Sequence, residues 1–339
     1  MTDAETGRRT RADFQADDEV RWCPGCGDYA VLASVQTFLA DVGLDPARVV
    51  FVSGIGCSSR FPYYMNTYGF HGIHGRAPAL ASGIALADPD LSVWVVTGDG
   101  DALSIGGNHL IHSLRRNLNI KILLFNNRIY GLTKGQYSPT SEVGKRTKSS
   151  PAGSIGPPFN PVSLALGAEA TFVARTVDTD RTHTIEMLRR AHQHRGTAFI
   201  EIYQRCNVFN DQAFVALTGK EERLENRINL RHGKPVLFGR HDAKGVVLHA
   251  GGAHIVDVAE VGLAALHVHD EHAPDPSAAF ALSRLSAGPE GPTPVGVFRD
   301  VARPLYEDEL QRQMRDAQRR PGPANLSELI RQTGTWTVS

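Results

Sequence analysis

Two short polar segments, Gly98-Asp99-Gly100 and Asn126-Asn127, constrain the fold of this chain more than any other feature. Leu91 to Thr97 (LSVWVVT) is an apolar, β-branched run too short to span a membrane, and it reads as a buried strand. Ile120 to Phe125 (IKILLF) reads as a second strand, with a helix from Gly106 to Asn117 between them. Parallel strands joined this way end on one carboxyl edge, where open α/β sheets bind ligands. The glycines beside Asp99 let the chain turn sharply and its backbone approach a phosphate. Asp99 and Asn127 then meet around one small cation. Together with the Ile129 carbonyl and two diphosphate oxygens they form a hard-oxygen set suited to Mg²⁺. Alone, Gly-Asp-Gly is an ordinary strand-to-loop turn. The second strand, ending in Asn-Asn at the matching distance, is the context that makes it a site.

That spacing is the fingerprint of thiamine diphosphate enzymes. The four cysteines add a second constraint: Cys23-Pro-Gly-Cys26 is a C-x-x-C pair, Cys57 lies in GIGCSSR, and Cys206 follows the apolar run Ala198 to Tyr203. Four thiolates complete a ligand set for Zn²⁺ or for a [4Fe–4S] cluster. A zinc ribbon usually brings two close pairs, whereas here one pair joins two distant single cysteines. Disulfides and separate buried cysteines stay open on spacing alone. The N-terminal MTDAETGRRTRADFQADDE has no apolar core of a signal peptide, so nothing points to an oxidising compartment.

The chain resembles the β subunits of the 2-oxoacid:ferredoxin oxidoreductases, and among them the 2-oxoglutarate type. The resembling stretches are WCPGCGDYAVL (Trp22 to Leu32), GIGCSSR (Gly54 to Arg60) and TYGFHGIHGRAPALASGIALA (Thr67 to Ala87). GDGDALSIGGNHLIHSLRRN (Gly98 to Asn117) and NNRIYGLTKGQYSPT (Asn126 to Thr140) continue it, so it covers Trp22 to Phe214 and runs on more loosely. The resemblance implies that Cys23, Cys26, Cys57 and Cys206 ligate one [4Fe–4S] cluster, and that Asp99, Asn127 and the Ile129 carbonyl bind Mg²⁺. It further implies a thiamine lining of Ile55, Gly56, Cys57, Ser58, His74, Gly75, Arg76, Ala77, Gly100, Asp101, Gly131 and Leu132. The reaction implied is the coenzyme A-dependent oxidative decarboxylation of a 2-oxoacid, its electrons passing singly through the cluster to ferredoxin. Thiamine chemistry also needs a glutamate from a pyrimidine-binding domain, for which this chain has no room. An α subunit is therefore expected to supply it, in an αβ or α₂β₂ assembly.

Strands alternating with helices indicate a doubly wound parallel sheet of the diphosphate-binding type, carrying a C-terminal extension. Residues 1–18 are expected as a disordered arm, 19–217 as the thiamine- and cluster-binding domain, and 218–339 as an extension packing on the core or on a partner. Within this frame Asp28 to Val42 and Thr182 to His194 read as helices, and Glu142 to Pro161 as a loop over the site. Equal numbers of basic and acidic residues, 36 each, argue against a nucleic-acid partner, and no apolar run reaches membrane-spanning length, so a cytoplasmic protein is expected. Arg60 and His74 are the candidate substrate contacts, the guanidinium fork of Arg60 suiting a distal carboxylate. His109 and His112 read as packing. His267, His269 and His272 resemble a zinc set but read as ordinary side chains. Lys145 to Lys148 and Arg312 to Arg320 are solvated faces or a steering surface for an acidic ferredoxin. The rival readings are a non-oxidative thiamine decarboxylase or synthase subunit, a zinc-stabilised interaction subunit, and a dinucleotide dehydrogenase. The last is weak, because Ser59 stands where the third glycine of the dinucleotide fingerprint belongs.

Overall fold

The computed structural model describes residues 9–249, 252–285, 288–319, 325–332, 334–336 and 338. Its strands are β1 (Val49–Ser53), β2 (Tyr68–His71), β3 (Ser92–Gly98), β4 (Ile120–Asn126), β5 (Phe172–Val177), β6 (Ala198–Tyr203), β7 (Arg227–Asn229), β8 (Leu237–Phe238), β9 (Lys244–His249), β10 (Gly252–Asp257) and β11 (Thr293–Asp300). Eight of them form one sheet in the order β2-β1-β3-β4-β6-β5-β11-β7, and β10-β9-β8 form a small antiparallel sheet. From β2 to β5 every pairing in the large sheet is parallel; β11 alone runs antiparallel to its neighbour β5.

The continuous apolar runs of β3 and β4 follow from burial on both faces. Val93, Val95, Ile122 and Leu124 point to one core, beside α2 (Ala77–Ala87), α4 (Gly107–Arg116) and α5 (Pro161–Gly167); α3 is the short turn Asp99–Leu103. Trp94, Val96, Leu123 and Phe125 point to the other core, covered by α1 (Asp28–Asp41) and α6 (Arg181–Gln193). Helix α1 buries Val31, Leu32, Val35, Phe38 and Leu39 along one stripe, as its 3.6-residue pattern requires. In α2 the buried positions are Ala77, Ala81 and Ala85, so the backbone can lie close to the sheet. Asn117 ends α4 in the left-handed region at φ 57°, and its side chain binds the carbonyls of Arg303 and Pro304.

Two expectations change. The arm is not wholly disordered: residues 1–8 lie outside the described residues, but Arg11–Phe14 forms a 3₁₀ turn with Phe14 completely buried. Gln15 bridges Met65, and the Asn66 amide nitrogen donates to the Phe14 carbonyl. One aromatic anchor in a charged segment outweighs its polar composition. The extension packs on the core, but the boundary expected at 217 does not bound the sheet, because β11 and β7 complete it and Phe298, Leu282 and Ile228 enter its core. Strand β11 escapes sequence reading because it opens Thr-Pro, holds Gly296 at φ 110° and ends Arg-Asp. Arg320 of the basic run falls outside the described residues.

A buried ion pair ties the extension to the sheet. Glu201, on β6 and fully buried, accepts from Arg175 Nε at 2.7 Å and from Asn126 Nδ2 at 2.7 Å. Arg175 also donates to the Pro294 carbonyl, and its guanidinium lies 5.2 Å from the Tyr203 ring centroid and 5.3 Å from that of Phe298. Removing one partner strands the other charge in the core. Glu201→Leu is expected to destabilise the fold by about 3–5 kcal/mol in denaturant unfolding, and adding Arg175→Met to recover most of that loss.

Candidate active site

Four loops leave the carboxyl ends of the adjacent strands β1, β3, β4 and β6, and they carry Cys57, Asp99, Asn127 and Cys206 respectively. The register Gly98↔Phe125 sets Asp99 and Asn127 at neighbouring strand ends. Between these loops lies a cavity of about 340 Å³ lined by Ile55, Gly56, Cys57, Ser58, His74, Asp99, Gly100, Asp101, Asn127, Ile129, Gly131 and Leu132, with Gly98, Tyr130 and Thr133. All three expected Mg²⁺ ligands are thus brought to one space. Gly75, Arg76 and Ala77 do not line it: they stand behind His74, where Arg76 folds back to donate to the His74 carbonyl at 3.3 Å.

Asp99 is buried, and burial pushes its carboxyl up to about 6 although the hydroxyls of Ser138 and Thr140 oppose the shift. Both hydroxyls bond Oδ2, Thr140 at 2.6 Å, and Thr140 also donates to Asn126 Oδ1 at 2.9 Å. Among the described residues no basic side chain contributes to this shift, so the environment favours a positive ion beside this carboxylate. Asn127 Nδ2 donates to Gln204 Oε1 at 2.9 Å, which assigns Oδ1 to the side of the Ile129 amide, 3.2 Å away.

Asp101 has a different task from Asp99. Its Oδ1 accepts from the amides of Ile55 (3.0 Å) and Gly75 (2.7 Å) and lies 2.7 Å from His74 Nδ1, while Oδ2 accepts from Thr97 Oγ1 at 2.8 Å. The carboxylate therefore joins two loops and takes the Nδ1 proton of His74, leaving Nε2 as the acceptor nitrogen of a half-exposed ring. Gly100 is required for space: a Cβ there would lie 2.1 Å from Tyr130 Cε1. Tyr130 donates its hydroxyl to the Gly100 carbonyl at 3.1 Å.

The cysteines gather at the same edge. A Cβ placed on Gly131 would sit 3.5 Å from Cys57 Sγ and 3.7 Å from Cys206 Sγ, so this cavity-lining glycine lies against both sulfurs. Trp22 Nε1 donates to the Cys57 carbonyl at 2.7 Å, and the Gly27 amide to the Arg205 carbonyl at 3.0 Å, docking the C-x-x-C segment on both loops. Gln204 Nε2 lies 3.3 Å from Cys26 Sγ. Burial pushes the Cys57 thiol up to about 11 and raises Cys26 and Cys206 as well, with the other sulfurs adding to the shift of Cys57 and Cys26. Asp28, beside them, is pushed up to about 7 by burial, although the Cys26 thiol and Arg60 oppose the shift. All four cysteines are free. Among the described residues no three of these sulfurs come within 4.8 Å of one another. Tetrahedral zinc would draw thiolates to about 3.8 Å apart. A cubane, in which each thiolate serves a different iron, suits the wider set.

Arg60 does not line the thiamine-type cavity. Its guanidinium donates to the Arg21 carbonyl at 2.8 Å, and it lines a separate groove with Glu19, Tyr63 and His71. His71 bonds the Tyr63 hydroxyl. Lys145 is held by Glu142 at 3.0 Å, and the loop from 142 folds on itself through Gly144 and Ser154. Sequence reasoning missed Tyr130, Ser138, Thr140 and Gln204. Gln204, the first residue after β6, was open to detection by its place on the edge; the hydroxyls were not, because an irregular loop delivers them.

Residues 54–202 match the family described as thiamine pyrophosphate enzyme, C-terminal TPP binding domain. The chain is 59% identical over 330 residues to the 2-oxoglutarate oxidoreductase subunit KorB of Mycobacterium tuberculosis, covering 96% of this chain and 88% of that one. It is 48% identical over 200 residues to the β subunit of 2-oxoacid:ferredoxin oxidoreductase 1 of Aeropyrum pernix, covering 59% of this chain and 63% of that one. A solved structure, 2-oxoglutarate:ferredoxin oxidoreductase from Magnetococcus marinus with 2-oxoglutarate, coenzyme A and succinyl-CoA bound, superposes with a TM-score of 0.74 at 31% identity, covering 95% of this chain and 94% of that one.

The Gly100–Tyr130 contact yields a test of the cavity. Gly100→Ala is expected to weaken thiamine diphosphate binding about 10–100-fold by calorimetric titration, the cost of overpacking a filled site. Tyr130→Ala added to it restores part of the affinity, whereas Tyr130→Phe, which keeps the ring, does not.

Proposed function

This chain belongs to the β subunits of the 2-oxoacid:ferredoxin oxidoreductases, and we propose that it is the half that binds thiamine diphosphate, Mg²⁺ and one [4Fe–4S] cluster. With an α subunit it converts 2-oxoglutarate and coenzyme A to succinyl-CoA and CO₂, with ferredoxin as the electron acceptor. The observation that carries this reading is Gly131, which lines the cavity beside Cys57 and lies against the sulfurs of both Cys57 and Cys206.

Bound thiamine diphosphate supplies a nucleophilic carbon and an electron sink for decarboxylation, and a cluster supplies a one-electron outlet at low potential. The chain's own residues position these groups. Asp99, Asn127 and the Ile129 carbonyl would hold Mg²⁺, Asp99 through Oδ1 because Ser138 and Thr140 both engage Oδ2. Gly100 leaves room for the Tyr130 ring that closes the cavity wall beside Asp99. His74 presents Nε2 to the cavity as a proton acceptor with its tautomer set by Asp101. Cys23, Cys26, Cys57 and Cys206 would hold the cluster, whose positive irons offset the burial that raises these thiols. An N–H from Gln204 on Cys26 is the kind of contact that tunes a cluster's potential.

Two features support a covering partner. Among the described residues no glutamate lines the cavity. The nearby surface exposes Tyr68 (64%), Phe70 (53%) and Ile73 (70%), apolar side chains suited to an interface. We read that partner as the α subunit in an α₂β₂ enzyme. Among the described residues no helix is long and apolar enough to cross a membrane, and a cytoplasmic location is part of the reading.

The experiment is an anaerobic purification with iron, acid-labile sulfide and zinc assayed on one sample. About four iron and four sulfide per chain are expected, falling to near zero in Cys206→Ala. Zinc without sulfide overturns the redox half of the proposal. On adding the α subunit, acceptor reduction is expected with 2-oxoglutarate in preference to pyruvate, and none from this chain alone.

A further inference from the structure

We propose that His232, Glu271 and His272 form a divalent transition-metal site of the zinc class in the C-terminal extension, separate from the cofactor edge. One ligand atom from each of the three lies within 4.8 Å of the others. The His-x-His run that drew attention in the sequence is not the site. His269 is occupied by the Val297 carbonyl at 2.7 Å, and His267 is absent from the group. The second histidine, His232, comes instead from the turn after β7.

The geometry of each ligand is set by a neighbour. His272 Nδ1 lies 2.7 Å from the Asp300 carbonyl, which can only accept, so Nδ1 carries the proton and Nε2 presents a lone pair. That lone pair faces Glu271 Oε1 at 3.5 Å. Two acceptors held at this distance repel unless a proton or a metal ion lies between them. A tetrahedron of metal bonds of about 2.1 Å has an edge of about 3.4 Å, close to the observed separation. His232 Nδ1 lies 3.5 Å from Asp270 Oδ1, the outer carboxylate that orients a metal-binding imidazole, which leaves Nε2 for the ion. The two imidazoles are 4.6 Å apart between centroids.

Glu271 is buried, and Arg190 grips both of its oxygens at 2.9 and 3.0 Å. Each carboxylate oxygen keeps a second lone pair for a metal. Arg190 also binds Asp300 at 2.9 Å, so two carboxylates, Glu271 and Asp300, share one guanidinium, and Asp270 lies beside His232. His232 and Glu271 also line the cavity of about 720 Å³ between α6 and the extension, from which water can take the fourth position.

The test titrates Co²⁺ into the anaerobically purified full chain and into its His232→Ala/His272→Ala variant, with His267→Ala as control. One equivalent is expected to bind the parent and the control, with visible d–d bands of a four-coordinate nitrogen–oxygen site and no sulfur-to-cobalt charge transfer. The double variant is expected to bind at least about 100-fold more weakly. Both histidines are half-exposed, at 47% and 54%, so the variant keeps its metal-free melting curve. Binding of equal strength in the double variant, or binding with thiolate charge transfer alone, overturns the proposal.

Discussion

The in-register parallel pairing of β1, β3, β4 and β6 is the constraint on which the rest of the molecule depends. It brings four strand ends to one edge in adjacent positions, so residues distant in the chain become neighbours without any long-range tether between their side chains. A slip of one residue between β3 and β4 would turn Asp99 and Asn127 to opposite faces. The burial of β3 and β4 on both sides excludes that slip, because Trp94 and Phe125 would then have to exchange cores with Val95 and Leu124. The site's geometry is thus a by-product of how the apolar residues alternate.

On that edge the cation end and the sulfur end of the site are joined by short polar links rather than by distance. Asn127 donates to Gln204, and Gln204 in turn reaches Cys26, so one amide side chain touches both halves. Asn210 adds a second tie, donating to the Asn127 carbonyl from the hairpin that follows Cys206. These are positional couplings: they hold two chemistries at fixed separation in a rigid frame.

The sheet, its helices and the residues around the cavity were legible because apolar period and strand ends carry that information directly. Asp99, Asn127, Cys57 and Cys206 follow strand ends, and Cys23 and Cys26 stand just before α1, places where short motifs reveal them. What was illegible comes from packing between distant segments. Phe14 anchors a segment whose composition looks unstructured. Strand β11 hides behind a proline, a glycine and a terminal ion pair. Ser138 and Thr140 reach Asp99 from an irregular loop, a placement that no periodicity encodes. Asp101 lines the cavity, and the structure adds a scaffolding task that the sequence did not reveal, because four hydrogen-bonding groups surround its carboxylate.

The position of β11 in the sheet also orders events during synthesis. Its partner β5 ends at Val177, and β11 does not begin until Thr293, so more than a hundred residues must emerge from the ribosome before that edge is closed. Every cysteine and every cavity residue lies before residue 207. A nascent chain therefore holds all the parts of its site while β5 is still an open edge, exposed to pairing with other chains. Chaperones would meet this protein in that window, with its cavity residues present and its sheet unfinished.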